Sequence, residues 1–121
     1  MPSTFDISPP LNDERTKRRL ASNQALARLV NEAMRSDRPD EAISFSCECG
    51  QIGCNRLIEL TRDEYNRVRG HPRRFAIVAD HEIVEIETTV ERHDRYAVVE
   101  AHHPAAAAIA ERTSPRPQPH D

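Results

Sequence analysis

From residue 12 to about Arg35 the apolar positions recur at helical spacing. Leu26, Leu29, Val30, Ala33 and Met34 stand at i, i+3, i+4, i+7 and i+8, the stripe expected to face a core. Asn12 reads as the N-cap, and Asp13 and Glu14 fall in the first turn, where the helix dipole favours negative charge. Asp37-Arg38-Pro39-Asp40 ends the pattern. The first half, Arg15 to Asn23, carries little apolar face and is expected to project from the core as a solvent arm or docking element.

Beyond that helix the period shortens to two. Ile43-Ser44-Phe45-Ser46 alternates and predicts a short strand, and Leu57-Ile58-Glu59-Leu60 predicts a second. Thr61-Arg62-Asp63-Glu64 has the form of a capping box opening a short helix, which carries Tyr65 and Val68 inward and stops at Gly70 before Pro72. Phe75 to Ala79 is apolar on both faces and predicts a central strand. Val84, Ile86, Thr88 and Val90 alternate with Glu85, Glu87, Thr89 and Glu91, a strand with one wet acidic face. His93-Asp94-Arg95 turns the chain into a returning strand, Tyr96 to Val99. Pro104 then starts an Ala-rich helix running to Arg112. The fold class is α+β: a long N-terminal helix, a small antiparallel sheet with an inserted short helix, and a short C-terminal helix. Residues 1–11 read as a disordered lead-in, 12–112 as a single domain, and 113–121 as a disordered Pro-rich tail.

Composition makes that core look thin. Of 121 residues 37% are hydrophobic, and Phe5, Phe45, Phe75, Tyr65 and Tyr96 are the whole aromatic supply. No apolar run approaches the roughly 18 residues of a membrane span, and no basic start leads into an apolar core, so neither a membrane protein nor a secretory signal is expected. The formal net charge is −3, which argues against a dedicated nucleic-acid binder. The charge is uneven: residues 61–75 sum to +3 and residues 76–100 to −5. These stretches read either as complementary patches inside one fold or as a partner-binding surface.

The chemistry concentrates in Cys47-Glu48-Cys49-Gly50-Gln51-Ile52-Gly53-Cys54, which holds all three cysteines and two of the three glycines. An odd cysteine number at this spacing does not suit a secreted disulfide framework. A C-x-C-x4-C knuckle suits a thiolate metal site, and Zn²⁺ takes four Cys or His ligands. One ligand remains to be found among His71, His81, His93, His102, His103 and His120. His81, just after the apolar strand, is the choice, with His71 the runner-up. Glu48 and Glu82 are conceivable general bases for a catalytic zinc, but neither H-E-x-x-H nor the paired H-x-E and P-C-x-x-C signatures of zinc deaminases is present. A structural zinc is therefore expected.

Phe45-Ser46-Cys47-Glu48-Cys49, Cys54, Leu60 to Tyr65, Val68 to Phe75, His81-Glu82, Val90 to Arg92 and Tyr96 to Glu100 together resemble a family of small, largely uncharacterised bacterial proteins. The resemblance spans about residues 12–115. It implies one zinc site built from the F-x-C-E-C…C segment and a later Gly-His-Glu, hence Cys47, Cys49, Cys54 and His81. In that family Pro-Gly precedes the histidine, where this chain has Ala79-Asp80. No activity follows from the resemblance. The expected function is a small cytoplasmic zinc-binding module, regulatory, acting on a macromolecular partner, and more readily a protein than an enzyme substrate. The alternatives are nucleic-acid binding through Arg15, Lys17, Arg18, Arg19 and the Arg67–Arg74 group, a thiol and zinc redox sensor, or a small zinc enzyme.

Overall fold

The computed structural model describes residues 13–34, 38 and 40–116. Eight elements follow in order: α1 (Glu14–Glu32), β1 (Ala42–Ser46), β2 (Leu57–Thr61), α2 (Arg62–Arg69), β3 (Arg74–Ile77), β4 (Glu87–Arg92), β5 (Ala97–Ala101) and α3 (Pro104–Arg112). The architecture is α+β, with a long first helix and two small antiparallel sheets. β1 and β2 form a hairpin in which Phe45 faces Ile58, and α2 follows β2 directly. The second sheet runs β3-β5-β4.

Local chemistry accounts for most boundaries. The capping box is present: the Thr61 hydroxyl accepts from the Glu64 N–H at 3.0 Å, and the Glu64 carboxylate accepts from the Thr61 N–H at 2.8 Å. Pro104 opens α3, where its missing N–H is not needed, and the His103 ring caps that end. At the start of α1 it is Asp13, not Asn12, that caps, accepting from the Thr16 N–H; Asn12 and the lead-in lie outside the described residues. The helix ends at Glu32, short of the Asp37–Asp40 stop.

Three expectations are overturned. The stripe predicted to face the core does not: Leu26, Leu29 and Val30 are exposed, and α1 instead buries Leu20, Ala21, Gln24, Arg28 and Asn31. The first half of α1 is thus packed, with Leu20 and Ala21 in a cluster with Ile83, Ile86, Ala101, Ala106 and Ala107. Second, the central strand is β5; β3 is an edge of the ladder, buried because other groups cover it. Third, the strand expected from Val84 begins only at Glu87, and a register shift interrupts it between Thr89 and Glu91. Val84 is consequently exposed, while Glu87, assigned to the wet face, is buried. Residues 113–116 also belong to the fold: Arg28 donates to the Thr113 hydroxyl, and Arg116 pairs with Glu32 at 2.7 Å. The rest of the tail lies outside the described residues.

Several residues of the two uneven stretches form ion pairs within the chain. Arg74 bridges Glu100 at 2.9 Å and Glu91 at 3.6 Å, Arg95 reaches Glu64, and Arg73 reaches Glu111.

Candidate metal centre

β1 delivers the chain into the cysteine loop at Cys47, whose N–H donates to the Arg56 carbonyl and closes the loop's neck at 3.0 Å. Gly50 and Gly53 both take positive φ, +78° and +85°, and fold the loop back on itself. Gly50 is tighter still: a Cβ there would lie 2.5 Å from the Leu20 carbonyl oxygen of α1 and 2.7 Å from the Gln24 side chain. The knuckle therefore sits directly on the long helix.

His81 arrives from the turn after β3, its N–H donating to the Val78 carbonyl at 3.0 Å. The residue before it, Asp80, has φ +72° and is the one described non-glycine residue in the left-handed region. Aspartate, with its short polar side chain, is among the residues that enter this region most readily, so it supports the turn without a glycine.

The ligand atoms of Cys47, Cys49, Cys54 and His81 all lie within 4.8 Å of one another. His81 Nδ1 stands 3.7 Å from both Cys47 Sγ and Cys54 Sγ. Cys47 and Cys49 are buried, while Cys54 and His81 are half-buried at the rim. Backbone amides support the sulfurs: the Val78 N–H donates to Cys47 Sγ at 3.2 Å and the Gln51 N–H to Cys49 Sγ at 3.5 Å. Gln51 Nε2 also donates to the His81 carbonyl, tying the knuckle to the histidine turn. The contact between Cys47 and Cys49 pulls their titrations apart. The hydrogen bond from Cys47 draws the Cys49 thiol down to about 5, while the same contact and then burial push Cys47 up. Four such donors, convergent and mostly shielded from water, can hold a metal ion. The cluster excludes His71, which sits exposed in the turn between α2 and β3. His120 lies outside the described residues.

Glu48, set between two ligands, points away from them into the core. Its carboxylate accepts from Tyr65 Oη at 2.8 Å, Asn31 Nδ2 at 2.9 Å and the Ala76 N–H at 2.9 Å, and it pairs with Arg69 at 3.4 Å. Every one of these groups is buried, so Glu48 is no general base but the anchor of the loop. Its N–H donates to the Ala76 carbonyl, and Arg69 donates to the Arg74 carbonyl. With the Val78 N–H on Cys47, these bonds satisfy the outer edge of β3, which explains how an edge strand comes to be buried. Glu82, the other conceivable base, has one oxygen 3.8 Å from Arg92 and the other buried without a partner.

Hydropathy alone does not mark this polar interior. Beside Arg69 and Glu48, Arg28 is buried and donates to the carbonyls of Pro72 and Ala110, its guanidinium lying 4.8 Å over the Phe75 ring. Burial, then the neighbouring Arg69, lowers its pKa to about 10. Gln24 and the Ile83 N–H both donate to Glu87. A signal existed: Leu20, Gln24, Arg28 and Asn31 share one helical face at i, i+4, i+8 and i+11. Ranking by hydropathy selected the neighbouring stripe instead.

The arginine group proposed as a nucleic-acid surface is largely consumed internally: Arg69 is buried, and Arg73 and Arg74 are ion-paired. No helix among the described residues is long and apolar enough to cross a membrane. The chain matches no family model, no curated protein and no solved structure.

Proposed function

We propose that Cys47, Cys49, Cys54 and His81 hold one structural Zn²⁺, and that the protein is a small regulatory module working through a protein partner in a reducing compartment such as the cytoplasm. The observation that carries the zinc reading is the convergence of all four ligand atoms within 4.8 Å. A tetrahedral zinc with Zn–S near 2.3 Å and Zn–N near 2.0 Å sets its sulfur–nitrogen separations at about 3.5 Å, close to the 3.7 Å found twice here. Three thiolates and an imidazole fill the four positions and leave none open for water, which supports a structural rather than a catalytic metal. The ion would contribute Lewis-acid charge that holds the thiolates deprotonated and ties the loop to the histidine turn. The free thiols suit a compartment where disulfides do not form. A binding role is supported by the aliphatic side chains left on the surface at α1 and the knuckle, and by the full engagement of Glu48.

Elemental analysis of the wild type against Cys49→Ser, His81→Ala and His71→Ala tests the site. One zinc per chain is expected in the wild type and in His71→Ala, with marked loss in the other two. Equal zinc in His81→Ala and the wild type would remove His81 from the site, and a wild type purified with no zinc under non-chelating conditions would sink the reading.

A further inference from the structure

We propose that Cys54 is a site of oxidative modification: hydrogen peroxide oxidises its sulfur first, and a Cys49–Cys54 disulfide then forms and dismantles the metal centre. This regulation rests on the reading of the four ligands as a zinc site.

The three sulfurs are not equally protected. Cys47 and Cys49 are 6% and 0% exposed and pack against Phe75, Ile77 and Val99. Each also accepts a backbone N–H, from Val78 at 3.2 Å and from Gln51 at 3.5 Å. Cys54 is half-buried at the rim, and no backbone N–H among the described residues donates to its sulfur. Its polar contacts are His81 Nδ1 at 3.7 Å and the Cys49 thiol. The chain leading to it faces water, since Ile52 is 81% exposed and a Cβ at Gly53 would meet nothing within 4 Å. Metal ligation requires all three sulfurs as thiolates. Oxidation follows thiolate character and exposure, so exposure and the missing amide bond select Cys54.

The chemistry needs only the peroxide. The Cys54 thiolate attacks one peroxide oxygen; an S–O bond forms, the O–O bond breaks, and the departing hydroxide is protonated to water. The product is the Cys54 sulfenic acid. The Cys49 thiolate then attacks the Cys54 sulfur; the S–S bond forms, the S–O bond breaks, and a second hydroxide leaves as water. The two thiolates together give up two electrons to the peroxide, and solvent supplies the two protons. Cys49 is the resolving thiol because it touches Cys54 and lies with it among ligand atoms all within 4.8 Å of one another. A Cys47–Cys49 bridge would instead close around Glu48 alone and be strained. Once Cys49 and Cys54 are joined, Cys47 and His81 are the only donors left, too few for a structural zinc. Thiol reductants of the same compartment reverse the disulfide and restore the ligand set.

Peptide mapping of the zinc-loaded full chain under increasing hydrogen peroxide tests this, with a sulfenic-acid trap and zinc release read in parallel. The first trapped adduct should fall on Cys54, the disulfide should join Cys49 to Cys54, and one zinc should leave per disulfide formed. Dithiothreitol with added zinc should restore the loaded protein. Cys54→His keeps a metal donor at the rim without an oxidisable sulfur, and its zinc release should be about tenfold slower or more. An adduct that falls first on Cys47 or Cys49 overturns the proposal, as does a Cys47–Cys49 bridge or zinc retained with all three thiols intact in excess peroxide. Should Cys54→His fail to load zinc, the wild-type map decides alone. Zinc content before treatment separates this from the preceding reading. A loaded chain that ignores peroxide sinks the modification site alone. A metal-free chain sinks the zinc site, and its peptide map still decides whether Cys54 reacts first.

Discussion

At the residue scale the knuckle depends on two glycines for different reasons. Gly50 has both a left-handed backbone and no room, because a Cβ would press on the backbone of α1; Gly53 has the same φ with open space around it. Gly50→Ala should therefore cost about 3 kcal/mol or more, combining the left-handed penalty with a clash against a carbonyl that cannot yield, whereas Gly53→Ala should cost only about 1 kcal/mol. Chemical denaturation of both variants with zinc bound checks this, and equal losses would refute the claim that the knuckle is seated on α1. Asp80 makes the opposite case. Its φ of +72° is strained for a residue with a Cβ, although its exposed carboxylate lies within 3.9 Å of Arg92. Asp80→Gly should raise stability by about 0.5–1 kcal/mol with unchanged zinc content, and a loss of stability would show that the aspartate does more than tolerate the turn. The cysteine spacing and the two glycines were legible in the sequence because ligand chemistry and turn chemistry are local. The positive φ at Asp80 was not legible, since Ala79-Asp80-His81 carries no glycine to mark a left-handed turn.

At the scale of elements, a buried polar network ties together helices and strands that three apolar clusters also pack. Glu48 joins α1 through Asn31, α2 through Tyr65 and Arg69, and β3 through the Ala76 amide. Glu48→Ala would leave Arg69 charged and unpaired in the interior and the Ala76 N–H without a partner, a loss of about 3–5 kcal/mol. Glu48→Gln keeps the volume and one acceptor and should cost less. If both variants melt like the wild type, the network is ornamental. Glu87 clamps α1 to the turn before β4, and burial raises its pKa from the ordinary value near 4.5 to about 7. The folded chain thus holds a proton between those values that the unfolded chain has released, so this group favours the fold at acidic pH and its contribution is lost as pH rises towards and past 7. The size is about 3 kcal/mol across that window. Glu87→Gln should abolish that component, so the stability difference between variant and wild type should change between pH 5 and 7.5; a difference flat with pH would refute it. Element types were largely readable from periodicity, caps and turns, as at Thr61 and Pro104. The orientation of α1 was not, because hydropathy favours the exposed aliphatic stripe over the mostly polar face that carries Leu20, Gln24, Arg28 and Asn31. Tertiary hydrogen bonds from Gln24, Arg28 and Asn31 decided it against hydropathy. The delayed start of β4 escaped for the same reason: Glu87 is drawn inward by Gln24 and the Ile83 amide, neither of them near it in a strand pattern.

At the scale of the whole molecule, the four ligands come from the two sides of the fold. Three belong to the loop that closes the β1–β2 hairpin, and the fourth follows β3 of the other sheet, so a metal there cross-links the two. The sulfur cluster is itself part of the interior, since Cys47 and Cys49 pack with Phe75, Ile77, Ala97, Val99 and Ala110. Few large side chains are available to hold this junction without it, for the sequence has no Trp and only five Phe and Tyr residues. Structural zinc contributes apparent binding energies of about 10–16 kcal/mol in small modules, as large as the entire net stability of about 5–15 kcal/mol typical of a domain. Removing the ion should therefore loosen the molecule as a whole rather than fray one loop. Chelation at neutral pH should lower the thermal midpoint by tens of degrees or abolish the cooperative transition, and added zinc should restore it. Hydrogen exchange should locate the first damage at the amides of Gln51, Ala76 and Val78, which bond to the knuckle and to Glu48. His71→Ala should respond like the wild type, since that ring stands outside the cluster. A chelated chain that melts at the same temperature, with those three amides still protected, would mean that the polar network alone holds the sheets together and that the metal site is not structural.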